Sequence, residues 1–366
     1  MRGRTRILAG AAVVGAALLL AIAWRAGSAL TLAMALAAPS AAWLAAPFHA
    51  APAHGEVTLV AGDTSFTADL YRPARPRGAL VLVHGLSRAG RHHPELARLA
   101  RLLAARGVVV LVPHLEGMVA FTLSGRETAK VSATIDHARR FGVPIGVAGF
   151  SFGAGPALLA AAAAPDVHVV GSFGGYADLR RVIRFITTGV HELDGQRYVQ
   201  APEPYNRWKL LALLAGFVDE PTEREALGVI VAQRLADPAA DTAALETRLA
   251  PTATAMLALV RARDDADVAR GLAALPPRAH AALDAMSPVT VVARLRGRLL
   301  IAHGTDDVSI PFTEGLRLAA AAGGRARVTL LRTFHHTGPR PLWTGIADRA
   351  ADGWGLFRLA AALLAL

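Results

Sequence analysis

From Glu56 onward the chain alternates short apolar runs with stretches of helical periodicity. Glu56–Val60 and Phe66–Tyr71 alternate apolar and polar positions around Gly62-Asp63, the pattern of a β-hairpin. Ala79–Val83, Val108–Val112, Ile145–Gly149 and Val167–Gly171 are continuous apolar runs of strand length. Between them, Leu96–Ala105, Thr128–Phe141 and Gly153–Ala164 read as helices, and Gly107 stands at the C-terminal stop of the first. Apolar strands separated by helices predict an α/β class: a mostly parallel central sheet with helices on both faces. The opening hairpin adds antiparallel strands at one edge.

The alternation breaks between Tyr176 and about Met286. Leu210–Phe217, Glu223–Leu235, Thr242–Leu249 and Ala253–Arg261 are helix candidates there, with no strand expected. It resumes with a strand at Leu299–Ala302, a helix at Thr313–Ala321, a strand at Val328–Thr333 and a closing helix. The reading is one α/β core over residues 56–175 and 287–366, carrying a helical insertion at 176–286.

The N-terminus has a different pattern. Arg2, Arg4 and Arg6 precede an uncharged run from Ile7 to Trp24. Those residues span roughly 27 Å as a helix, close to the thickness of a bilayer core. Residues 1–25 are therefore expected to be a transmembrane signal anchor, its basic end cytoplasmic and the main domain extracytoplasmic. A cleaved signal peptide is the competing reading, since small residues around Ala35 to Ala42 suit a peptidase. Residues 26–55 are uncharged up to Phe48 and interrupted by Pro39 and Pro47. They read as an apolar linker or membrane-surface segment; a second span there would return the main domain to the cytoplasm.

Composition changes this picture little. The chain is 366 residues, 53% hydrophobic and 18% charged, long enough for one large domain with an insertion. Its net charge is +11, and of 39 basic residues all but Lys130 and Lys209 are arginine. The arginines are scattered and no zinc-finger spacing or basic helix accompanies them, so no nucleic-acid partner is expected. Attraction to anionic membrane surfaces fits the charge better. There is no cysteine, which excludes disulfides, thiolate catalysis and iron–sulfur ligation. No HExxH occurs, since His191-Glu192 lacks the second histidine. His92, His93 and His114 carry no fixed metal geometry, and no phosphate or dinucleotide loop is complete. Neither a cofactor nor a metal is implied.

One motif carries chemistry. Gly149-Phe150-Ser151-Phe152-Gly153 fits G-x-S-x-G between a strand and a helix. A serine on such a turn is lifted above the sheet edge, with Gly149 and Gly153 leaving room for close packing. A serine hydroxyl needs a base to take its proton and an acid to orient that base. His303-Gly304-Thr305-Asp306-Asp307-Val308-Ser309-Ile310-Pro311 follows the late strand, and Phe334-His335-His336 follows the last. The D-x-x-I-P spacing selects Asp307, with Asp306 as the alternative. His336, beyond the strand proper, is selected as the base, with His335 as the alternative. His84-Gly85-Leu86 ends an early strand.

These segments, in this order, resemble the α/β-hydrolase superfamily, and its peptidase- and esterase-like bacterial enzymes in particular. The resemblance covers about residues 56–175 and 287–340. It implies an α/β-hydrolase fold with a helical lid at 176–286, and a triad of Ser151, Asp307 and His336. It also implies an oxyanion hole from the backbone N–H groups of Leu86 and Phe152, with His84, Gly85, Gly149 and Gly153 as supporting positions. The histidine segment departs from the pattern: many members have Gly or Ser before the catalytic histidine, and here a second histidine stands there. The expected activity is hydrolysis of a carboxylic ester or thioester through an acyl-enzyme. Peptidase or acyltransferase chemistry uses the same triad, and a non-catalytic binding protein on this fold is the reading from another class. Trp208, Leu210, Leu211 and Phe217 suit either a hydrophobic acyl group or the packing of lid helices. The expected partners are a small or lipid-like acyl substrate and a membrane.

Overall fold

The structure, a computed structural model, describes residues 19, 22–38, 51–122, 125–334 and 346–366. Residues 22–37 form helix α1. Strands β1 (Ala53–Ala61) and β2 (Thr64–Arg72) make the expected hairpin, with Ala61 opposite Thr64 and Gly62 at φ 58° in the turn. Strands β3 (Gly78–Val83) and β4 (Val108–Pro113) flank α2 (Pro94–Ala104), and every residue of both strands is buried. Then come α3 (Glu116–Ala120), α4 (Arg126–Ala138), β5 (Ile145–Phe150), α5 (Ala154–Ala163) and β6 (Val167–Phe173).

The insertion holds α6 (Leu179–Thr188), the hairpin β7 (Val190–Leu193) and β8 (Gln196–Val199), and six helices. These are α7 (Asn206–Ala215), α8 (Pro221–Ala236), α9 (Ala243–Glu246), α10 (Pro251–Arg261), α11 (Asp265–Ala273) and α12 (Pro277–Ala285). The core resumes with β9 (Arg298–Gly304), α13 (Phe312–Ala322), β10 (Ala326–Leu331) and α14 (Ile346–Leu363). The insertion was expected to lack strands. The β7–β8 pair turns at Asp194-Gly195, both with positive φ, but each strand has only four residues, too few for alternation to show.

Eight strands form one sheet in the order β1-β2-β4-β3-β5-β6-β9-β10. β2 runs antiparallel to β1 and β4, and all other pairs are parallel. The apolar runs require burial on both sides, and two cores meet them. One face packs against α4, α5 and the insertion through Val81, Val147 and Leu158; the other packs against α1, α2 and α14 through Leu80, Leu103 and Leu359.

Helix α1 departs from the expectation of a linker at residues 26–55. Ala29, Leu32 and Ala33 recur at helical spacing and are buried against the body. Arginines from α2 and the turn after it fix the helix in place. Arg106 donates from Nε to the Ser28 carbonyl at 3.1 Å and from Nη2 to Thr31 Oγ1 at 2.8 Å; Arg98 Nη1 donates to the Ala35 carbonyl at 2.8 Å. Small residues allow close approach of the helix, and the helix supplies the acceptors that a buried guanidinium needs. Most of the expected membrane span, residues 7–24, lies outside the described residues. Among the described residues no helix is long and apolar enough to cross a membrane.

Candidate active site

The carboxyl ends of the parallel strands converge on Ser151. β5 ends at Phe150, Ser151 turns at φ 52°, and a single 3-10 turn leads into α5. That left-handed conformation costs a non-glycine residue on the order of 1–3 kcal/mol, so the surrounding packing must enforce it. The enforcement is visible in the two glycines. A Cβ on Gly149 would collide with the Gly153 carbonyl, and one on Gly153 with the His84 carbonyl. Phe152, next to the serine, is buried against the ring of Tyr176 at 5.4 Å between centroids. The Tyr176 hydroxyl donates to the Met286 carbonyl at 3.1 Å.

The loop after β3 faces this turn. A Cβ on Gly85 would lie 2.9 Å from Ser151 Cβ and 3.4 Å from its Oγ, so only glycine brings this backbone so near the hydroxyl. His84 is buried and cannot act as a base. Its Nε2 accepts from the Leu115 N–H at 3.1 Å, which leaves the ring's one proton on Nδ1, donated to the Gly85 carbonyl at 2.9 Å. Burial pushes its pKa down to about 4. In a trans peptide the C=O and the following N–H point to opposite edges. The grip of His84 on the Gly85 carbonyl therefore fixes the direction of the Leu86 N–H.

The β3–α2 loop beside the serine turn, the strand–turn–helix at Ser151 and the strand order with β2 antiparallel together decide the architecture. The fold is that of an α/β-hydrolase. No protein-family model and no curated protein matches the sequence. Among solved structures, the chain is similar to a dienelactone hydrolase from Anabaena variabilis, with 14% identity and a TM-score of 0.46, covering 86% of this chain and 97% of that one. It is similar to the esterase domain of a Rhodothermus marinus protein, with 15% identity and a TM-score of 0.46 over 85% of this chain and 98% of that one. It is also similar to an acylaminoacyl peptidase from Pyrococcus horikoshii, with 11% identity and a TM-score of 0.49 over 88% of this chain and 42% of that one. The fold assignment stands on the strand order and the serine turn themselves.

Within this fold, the two candidate acids part company after β9. Asp307 is fully buried, and its Oδ1 accepts from the N–H groups of Ser309 at 2.8 Å and Ile310 at 3.0 Å. Its Oδ2 lies 3.4 Å from His303 Nε2, which donates to the Ile310 carbonyl at 2.9 Å. Asp306 is only half-buried. The loop is thus built around the Asp307 carboxylate. His335 and His336 lie outside the described residues. Phe334, directly before them, lines the cavity that holds Ser151. The backbone leading there is clamped by Asp352 of α14, a residue the sequence pattern did not single out. Its carboxylate accepts from the N–H groups of Arg332 at 3.1 Å and Thr333 at 2.7 Å, and from Thr333 Oγ1 at 2.6 Å. An acid inside a C-terminal helix carries no spacing signal, so only the packing reveals it.

A cavity of about 400 Å³ opens over these strand ends, with Ser151, Gly85, Leu86 and Phe152 in its wall. The insertion contributes Leu210 and Leu213, together with Tyr205, Asn206 and Lys209. Trp208, Leu211 and Phe217 are instead buried inside the insertion and are not among the residues that line the cavity. The sequence pattern gave Lys209 no place at the site. Lys209 stacks over the Tyr205 ring at 4.3 Å, and burial lowers its pKa. His191 is structural: it stacks on Tyr198 and its Nδ1 lies 3.1 Å from Thr313 Oγ1.

Proposed function

We propose that the chain is a serine hydrolase that cleaves a carboxylic ester or thioester through an acyl-enzyme on Ser151. The observation that carries this reading is the left-handed turn at Ser151, strained between β5 and α5 at the wall of a large cavity. A strained serine beside a glycine loop is what nucleophilic attack requires. In this reading Ser151 Oγ attacks the acyl carbon while His336 takes its proton and returns it to the leaving alcohol or thiol. Asp307 orients the imidazole and stabilises its cationic form. The N–H groups of Leu86 and Phe152 bind the oxyanion, the first aimed by His84. Water then attacks the acyl-enzyme and releases the acid, and Ser151 regains its proton.

We also propose that the segment before α1 holds the protein at a membrane. The start of α1 is exposed on every side and carries Ile22 and Trp24, Leu30 and Met34 are exposed further along it, and α14 exposes Trp354. An apolar surface of this kind, continuous with the uncharged run from Ile7, fits a lipid surface. A topology reporter fused after residue 55 and membrane fractionation test it; recovery of the full chain in the soluble fraction would sink it.

For the chemistry, the full-length protein is treated with a fluorophosphonate probe beside Ser151→Ala, Asp307→Ala and His336→Ala. The expected outcome is labelling of the wild type, none of Ser151→Ala and strongly slowed labelling of the other two. A folded wild type that stays unlabelled refutes the reading and favours a binding protein.

A further inference from the structure

The cavity is lined from both faces of the sheet. The half under the insertion offers Tyr205, Asn206 and the ammonium of Lys209 beside the apolar Ile186, Leu210 and Leu213. The other half runs over the opposite face of the sheet. There the wall is Leu36 of α1, Leu96 and Leu99 of α2, and Leu356, Leu359 and Leu363 of α14. Phe150, Phe173 and Phe334, at the strand ends, form its floor. Among the described residues, the acidic and basic side chains here are paired, Glu95 with Arg98 at 2.7 Å, and Arg98 also donates to the Ala35 carbonyl; His93 adds an imidazole at the start of α2. Such a slot has little to offer a polar group and much to offer a hydrocarbon chain.

We propose that this leucine slot is an acyl-chain site, that the substrate is an ester of a linear fatty acid, and that α1 sets the chain length accepted. The inference rests on the serine-hydrolase reading above and deepens it. A carbonyl held at Ser151 directs its two substituents apart. The apolar substituent goes into the leucine slot, and the alcohol or thiol portion goes towards Lys209 and Asn206. α1 precedes the catalytic core in the chain, yet Leu36 forms part of the slot. Its position is fixed by the Arg98 and Arg106 contacts, so this wall of the slot is held in place. Each methylene moved from water into such a slot is worth about fourfold in binding.

The test uses the full-length chain in nanodiscs with p-nitrophenyl acetate, butyrate, octanoate and laurate. In the wild type kcat/KM should climb steeply from acetate to octanoate or laurate. Leu36→Trp fills the slot and should lower the laurate-to-acetate ratio of kcat/KM tenfold or more. Leu36→Ala lengthens the slot and should move the optimum to longer chains. A flat chain-length profile in the wild type, or ratios unmoved in both variants, overturns the proposal. Fluorophosphonate labelling, run in parallel, reports on Ser151 chemistry by itself. Binding of a fluorescent long-chain fatty acid to Ser151→Ala, weakened by adding Leu36→Trp, reads the slot without turnover. Labelling without chain selectivity overturns the acyl slot alone; absent labelling with fatty-acid binding intact overturns the hydrolase reading alone.

Discussion

The two walls of the cavity are built by different means. The α1–α2–α14 wall belongs to one of the two main cores: Leu32, Leu103 and Ala360 are fully buried behind it, and the guanidinium groups of Arg98 and Arg106 reach the α1 backbone. The wall from the insertion is also packed into a core, through Leu210, Leu211 and Leu213, and differs at its entrance, where it meets the β9–α13 loop through individual polar links. The Glu203 N–H donates to the Val308 carbonyl at 2.9 Å, and Asn206 Nδ2 to Ser309 Oγ at 3.1 Å, both on the loop that carries Asp307. Shape on the first side is coupled to the stability of the whole domain, because apolar packing is collective. On the second side, single hydrogen bonds can be cut at small cost. The proposed chain-length selection belongs to the α1 side, and the proposed contacts with the leaving group to the entrance on the other.

The largest expected effect comes from removing the rigid wall. Deletion of residues 1–37 exposes the apolar surface under Leu32 and strips Arg106 of its α1 acceptors. It should cost about 5 kcal/mol in guanidinium unfolding. A truncated protein as stable as the full chain would erase the contrast between the walls. Next is Asp352→Ala, which leaves the Arg332 and Thr333 N–H groups without their carboxylate. A loss of about 3 kcal/mol is expected, together with slower ester turnover as the strand leading to His336 loosens.

A pH effect of intermediate size sharpens the comparison. Folding holds His84 near a pKa of about 4, against 6.5 when unfolded. Below pH 6.5 the unfolded chain binds the proton that the folded chain refuses, so the stabilisation is complete above 6.5 and is lost as pH falls towards 4. Between pH 7 and pH 5 this residue alone should account for a drop of about 2 kcal/mol. Urea midpoints of wild type and His84→Gln measure it; equal drops in both would remove His84 as the cause. The smallest effect is expected at the lid entrance. Asn206→Ala should cost about 1 kcal/mol or less and raise KM more than it lowers kcat. A loss as large as that of Asp352→Ala would show that the lid is as tightly built as the other wall.

The serine turn and the loop around Asp307 were legible in the sequence because their signals are local. G-x-S-x-G between a strand and a helix is readable since the same five residues make the turn and meet the β3 loop. The D-x-x-I-P spacing pointed to Asp307 because the Ser309 and Ile310 N–H groups that surround its carboxylate come from the next residues in the chain. The β7–β8 hairpin escaped because four-residue strands hold too little periodicity. α1 escaped for another reason: its uncharged composition fits a membrane segment, a linker or a packed helix equally, and nothing local says which.

The sequence by itself determined the succession of strands and helices in the core, the mainly helical insertion and the serine at the strand–helix turn. Each depends on contacts between residues close in the chain or on the period of a single element. Only the tertiary structure decided which residues wall the cavity. Leu36, Leu99 and Leu359 are separated by most of the chain and look like ordinary core leucines. What makes them a slot beside Ser151 is the way α1, α2 and α14 pack on one face of the sheet, and that packing depends on the whole molecule at once.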